Sequence, residues 1–233
     1  MGTPEREPAR ILRHERRTGD AEIPRGSAED YDAIAKHIET HWGKVETVFH
    51  ELMSDYVHVD VHFVKATKGR PFHTLITSGM SDRPMPAPEG AEDLRYSELV
   101  ISLPPDWPLD KESFKNELNW WPIRWLKKLA RFPHEYNAWV MWGHTIPNDD
   151  PPVPFATNTK FCCMLLGVPT LCEDDGMILK INDSKSVRFY SLIPIYLEEM
   201  EFALKSGGEA LIEKLGNADV TELLNLNRRN VCA

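Results

Sequence analysis

The chain has no long apolar run. Its longest, Phe161–Val168, falls far short of the roughly 18–20 residues a membrane helix needs. Residues 1–10 (MGTPEREPAR) lack the apolar core of a secretory signal. Arg6 stands where a myristoylation site wants Ser or Thr, and Cys232 is not at the prenylation position. Cysteine is scarce: the four, at 162, 163, 172 and 232, form no C-x-x-C pair. That argues against a disulfide framework or a zinc ribbon and for a cytoplasmic protein with no membrane partner. Positive charge is in deficit, 27 Lys+Arg against 36 Asp+Glu for a net −9, so no nucleic acid is expected as a partner. An acidic domain suits a basic partner. GxxxxGK[ST], GxGxxG and GxSxG are all missing, and no cofactor is expected.

What is present is organised by period. Residues 1–27 are rich in Arg, Glu, Pro and Gly and are expected to be a flexible tail ahead of one domain at 28–233. Ser27 is a candidate helix cap. Behind it Tyr31, Ile34, Ile38, Trp42, Val45, Phe49 and Leu52 recur at three- and four-residue steps, which predicts a long helix of about six or seven turns. The period then changes to two. Tyr56–Val64, Phe72–Ser78 and Tyr96–Leu103 read as strands, the first half-buried with His58, Asp60 and His62 facing solvent. Ser81–Gly90, with three prolines, reads as a loop. Pro122 suggests the start of a short helix ending before Pro133. Ala138–Trp142, Lys160–Val168 and Val187–Ile193 are further strand candidates, and Asp149–Pro154 is a second Pro-rich loop. From Pro194 a helical period runs to Gly207-Gly208. Glu209–Leu215 forms another helix, and Asp219 caps a last one through Leu226. No helix separates the strands of residues 56–103, so the fold class is α+β. The expected architecture is a mixed, mostly antiparallel sheet with the N-terminal and C-terminal helices packed on it.

Three constellations bear on chemistry. His58-x-Asp60-x-His62, with His73 or His144, could supply metal ligands for a small hydrolase, which is the alternative function. However, residues i and i+4 on a strand stand about 13 Å apart, too far for one ion. His37 and His41 have helical zinc spacing, but Ile38 occupies the place of the glutamate a zincin needs. Thr77-Ser78-Gly79-Met80 ends a strand and does not build a nucleophile elbow. Trp107, Trp120, Trp121, Trp125, Trp139 and Trp142 crowd the middle of the chain. At least half are expected in the core.

Several segments in one order resemble the bacterial suppressor-of-fused (SUFU) family. These are HTLITSGMS at His73–Ser81 with Pro84-Met85, YSELVISLP at Tyr96–Pro104 with Asp106-Trp107, and Trp121-Pro122-Ile123 with Leu129-Ala130-Arg131. GHTIPN at Gly143–Asn148, FYSLIPIY at Phe189–Tyr196, Glu198-Glu199-Met200 and Gly208 follow. The resemblance runs from about residue 31 to 230. It implies an α+β domain that binds protein without catalysis. Eukaryotic members grip an extended peptide of a Hedgehog-pathway transcription factor, and bacterial relatives are proposed as immunity proteins against secreted toxins. A basic toxin domain is the partner this implies. The two Pro-interrupted loops carry Asp82, Asp149 and Asp150, with Asp93 close by, and Trp107, Trp142 and His144 lie near them in sequence. An acidic rim around aromatic anchors at loop ends is the composition expected of a partner-binding patch.

Overall fold

Antiparallel strands need only a turn between them, whereas parallel ones need a crossover; both occur here. The computed structural model describes residues 11–17, 26–50, 56–172 and 175–233. Helix α1 (Ala28–His41) opens on Ser27, whose Oγ accepts from the Asp30 N–H at 3.0 Å. Strands β1 (Val45–Phe49), β2 (Asp60–Val64), β3 (His73–Ser78) and β4 (Tyr96–Leu103) follow as an antiparallel run. Helix α2 (Glu117–Glu135) crosses over, and β5 (Thr145–Pro147), β6 (Cys163–Gly167), β7 (Ile178–Lys180) and β8 (Ser186–Ile195) complete the sheet. The order is β1-β2-β3-β4-β8-β6-β5, with β7 on β8; of the strand pairs among the described residues, β4–β8 is the parallel one. Helices α3 (Leu197–Ser206) and α4 (Gly208–Gly216) end the regular structure. The sheet is thus mixed and mostly antiparallel in an α+β chain, as expected.

Alternation along the strands sorts the core onto two faces. Leu75, Leu99, Ile101, Met164 and Leu192 pack with Trp121, Trp125 and Leu126 of α2. Ile76, Val100, Val187 and Phe189 meet Ile34, Ile38 and Trp42 of α1. On that same face Cys163, Leu165, Ile193 and Ile195 lie under Met200 and Ala203 of α3 and Leu211 and Leu215 of α4. With helices on both faces, β2, β3, β4 and β6 are buried almost throughout. This corrects the half-buried reading of β2: His62 and Asp60 are buried because α1 covers their side of the sheet. Cys162 and Cys163 are both buried as well. Trp121 and Trp125 are fully buried, and the other four tryptophans of the middle third are half-buried against the same core.

Other boundaries differ for identifiable reasons. The first helix stops at His41, not at residue 52: Gly43 turns into the left-handed region (φ +110°) and gives its N–H to Ile38 O at 3.3 Å. Val45, Thr47 and Val48 then prefer the extended chain, and position 52 lies outside the described residues. Helix α2 starts five residues before Pro122, capped by Asn116, whose Oδ1 accepts from Leu118 N at 3.0 Å. Proline inside a helix leaves the carbonyl four residues back without its donor; Asn158 Nδ2 supplies one to Leu118 O at 3.1 Å. Ala138–Trp142 is not a strand; pairing begins at Thr145. Strand β8 runs through Pro194 to Ile195, so α3 begins at Leu197. Asp219–Leu226 is not a helix. Asp219 is left-handed (φ 56°), Glu222 is buried against Thr170 and Leu171, and Leu224 N bonds Ser102 O at 2.9 Å.

Candidate functional site

The turn after β3 is built around a buried carboxylate. Glu98 accepts from Thr77 Oγ1 (2.6 Å), Gly79 N (3.0 Å), Ser81 N (2.9 Å) and Ser81 Oγ (2.6 Å). Burial nevertheless holds its pKa above the ordinary value. Gly79 is left-handed (φ +107°), and a Cβ there would lie 1.8 Å from His58 O. The TSGMS segment is therefore a structural node.

The histidines of the metal reading are each engaged elsewhere. Asp60 takes His58 Nε2 at 3.0 Å on one oxygen and His50 Nδ1 at 2.9 Å on the other. His62 instead meets Ser78 Oγ at 2.9 Å, with both residues buried, and desolvation pulls its pKa down to about 4. His73 Nδ1 accepts from Ala66 N, so its Nε2–H donates to Pro105 O at 3.0 Å. His144 stands edge-on to Trp139, its pKa lowered by burial. His37 meets Gly176 O at 2.9 Å and stacks on Phe189. Among the described residues no three His, Cys, Asp or Glu side chains are placed to hold a metal ion.

Asp82 and Trp107 of the expected patch do not converge. Because β3 and β4 are antiparallel, Asp82 beyond β3 and Trp107 beyond β4 lie at opposite ends of the sheet, about 24 Å of strand apart. Asp82 accepts from Gly26 N at 2.9 Å, and its pKa is raised chiefly by burial. Asp93 pairs with Arg188 at 2.5 Å. Trp107 donates its indole N–H to Asn119 O at 3.1 Å. Trp142 and His144 are half-buried in the turn before β5.

The loop after β5 does present a surface. Asn148 Nδ2 bonds Val153 O and Pro154 O at 2.9 and 3.1 Å, curling the chain so that Asp149 and Asp150 are exposed. Pro151, Pro152 and Pro154 carry no N–H to leave unpaired. Beneath the loop lies a cleft of about 490 Å³ lined by Pro152, Pro154, Lys160, Tyr196, Leu197 and Glu198 among others. Val153 (44% exposed) and Leu197 (40% exposed) are among the most exposed large apolar side chains described. Arg13 reaches Asp150 at 3.2 Å, while Arg17 N bonds Glu135 O and so lays residues 11–17 along the end of α2. An apolar floor with acidic groups at its rim has the anatomy of a protein interface. The sequence reading reached Asp149 and Asp150 but missed Val153, Leu197 and Glu198. Only the end of β8, which places Leu197 under the loop, brings those together.

The model of the suppressor of fused protein family matches residues 55–229. No curated protein matches the sequence. Among solved structures the chain is similar to a suppressor-of-fused homologue from Neisseria gonorrhoeae. The two are 19% identical with a TM-score of 0.62, over 87% of this chain and 97% of that one. It is also similar to a chain of the Sufu–Fu complex (14% identity, TM-score 0.57, 90% and 93% covered). Drosophila Suppressor of Fused matches at 14% identity and TM-score 0.56, over 86% of this chain and 50% of that one.

Proposed function

The chain belongs to the suppressor of fused family, and from that premise we propose that it is a non-catalytic protein-binding module. Its partner is a basic protein, in the proposed setting a bacterial toxin domain that it neutralises in the cytoplasm as an immunity protein. The domain at 28–233 does the binding, with Arg13 of the preceding segment paired to Asp150 at its rim. One relative is seen in a complex, Sufu–Fu, which supports a binding role. The observation that carries the proposal is the cleft beneath the Asn148–Pro154 loop, lined by exposed Leu197 and by Glu198, with Val153, Asp149 and Asp150 exposed on the loop itself. An acidic rim speeds encounter with a basic surface, and a desolvated apolar centre holds it. The net charge of −9 acts in the same direction.

The test begins with the product of the neighbouring gene, co-expressed and co-purified with the full chain. A stoichiometric complex is expected. Val153→Asp with Leu197→Asp should weaken it at least about tenfold, or roughly 1.4 kcal/mol, because both side chains are exposed and their loss leaves the core intact. Affinity unchanged in that double variant, with unfolding curves matching the parent, refutes this surface. A partner of net negative charge refutes the electrostatic part.

A further inference from the structure

A second cleft lies at the opposite edge of the sheet, independent of the surface proposed above. It has a volume of about 700 Å³ and is bounded by the last turn of α1, by β1 and by the β2–β3 loop. Clefts of about 300–1,000 Å³ are the usual size of ligand sites. Lys44, Lys65 and Arg70 stand on its walls against Glu39 and Glu46. Three cations against two carboxylates leave these walls locally positive in a chain of net −9.

Arg70 is the most telling of them. Its guanidinium donates to Lys65 O (2.6 Å), Phe72 O (3.0 Å) and Thr74 Oγ1 (2.9 Å) and rests 5.0 Å over the Phe72 ring. Three neutral oxygens hold it in place, yet no carboxylate pairs with it among the described residues. Its desolvation is large enough to lower its pKa. A half-buried cation without a counterion has electrostatic attraction left to give. Lys44 forms no ion pair among the described residues, and Lys65 approaches Glu46 only to 3.8 Å. Trp42 lines the cleft at 2% exposure, and its indole N–H has no acceptor among the described residues.

We propose that this cleft binds an acidic segment of polypeptide, with a carboxylate seated among Arg70, Lys65 and Lys44. A compact polyanion such as phosphate would meet Glu39 and Glu46 on the same walls, whereas the spaced carboxylates of an extended chain pass between them. Among the described residues β1 is also the terminal strand of the sheet, paired with β2 alone, so one wall ends in a strand edge suited to polypeptide.

The test is a fluorescein-labelled peptide of alternating Glu and Val, titrated into the full chain and followed by anisotropy. Saturable binding is expected, weakened at least about tenfold by Lys44→Glu and by Lys65→Glu, and weakened by added salt. Both substitutions fall on exposed side chains, and circular dichroism checks each fold. Arg70→Lys should weaken binding too, because a lysine loses the fixed planar fork. Four results would overturn the proposal. These are no saturation by about 1 mM peptide, equal affinity in both charge-reversal variants, equal affinity for the peptide with Lys in place of Glu, and competition by inorganic phosphate at the peptide's own concentration. Neither charge reversal touches the cleft under Asn148–Pro154, so loss here with partner binding retained there separates the two sites.

Discussion

Two buried histidines should make the stability of this fold depend on pH in a calculable way. His62 is 1% exposed and His134 2% exposed. Desolvation, the largest cause for each, pulls both from the ordinary 6.5 to about 4. His62 bonds Ser78 Oγ beneath Tyr31, and His134 Nε2 donates to Met80 O at 2.9 Å. A depressed folded pKa means the unfolded chain binds protons first. The stabilising contribution is therefore complete above the unfolded value and is lost as pH falls from about 6.5 to about 4. Full titration corresponds to about 3 kcal/mol per ring, and at pH 5 to about 2 kcal/mol. Urea unfolding at pH 7.5 and pH 5.0 measures it. The parent should lose about 4 kcal/mol from these two rings. His62→Gln and His134→Gln should each start less stable at pH 7.5 but lose about 2 kcal/mol less on acidification. Equal losses in the parent and both variants would show that the rings do not titrate with folding, and would refute the reasoning.

Two further substitutions probe the frame. Arg228 grips Glu199 through both nitrogens at 2.6 Å and stacks against Phe161 and Tyr196. Arg228→Met strands a fully buried carboxylate and should cost about 3–5 kcal/mol. Calorimetry should then show a melting temperature lower by on the order of 10 °C, and a change under about 2 °C contradicts the staple. Gly79→Ala drives a Cβ into His58 O in a left-handed backbone. It should cost more than about 2 kcal/mol in urea unfolding, whereas Gly90→Ala, with open space around it, should cost clearly less.

The strand Tyr96–Leu103 was legible to the residue because Pro104-Pro105 ends it chemically and its apolar content exceeds what alternation alone requires. The last helices were legible for a similar reason, since Gly207 and Gly208 punctuate them. Where the sequence misled, two patterns overlapped. Trp42, Val45 and Phe49 keep helical spacing by coincidence, while Gly43 and three β-branched residues carried the contrary signal. In α2 a proline that ordinarily starts a helix sits five residues inside one, and the compensating donor, Asn158, is forty residues away. No local window contains that contact. The half-buried reading of β2 failed for a different reason. Alternation of His and Asp with Val describes polarity, whereas burial depends on whether a helix lies over that face.

For the proposed interaction surface, the decisive quantity was strand direction. Loops that follow strands were taken as the places where binding groups collect. A loop after β3 and a loop after β4 nevertheless leave from opposite ends of the sheet, however close they stand in sequence. Asp149 and Asp150 share the end of β5 with Leu197, which follows β8. β5 and β8 run in the same direction, each antiparallel to β6, and each leaves the sheet at that end. Had β8 stopped at Ile193 as its period suggested, Pro194 and Ile195 would not have carried Tyr196 and Leu197 beneath the loop. Two added residues of strand bring an exposed leucine to the same end of the sheet as two aspartates far earlier in the chain. A surface of this kind follows from the register Met164↔Pro194, and a reading of composition could reach its acidic half only.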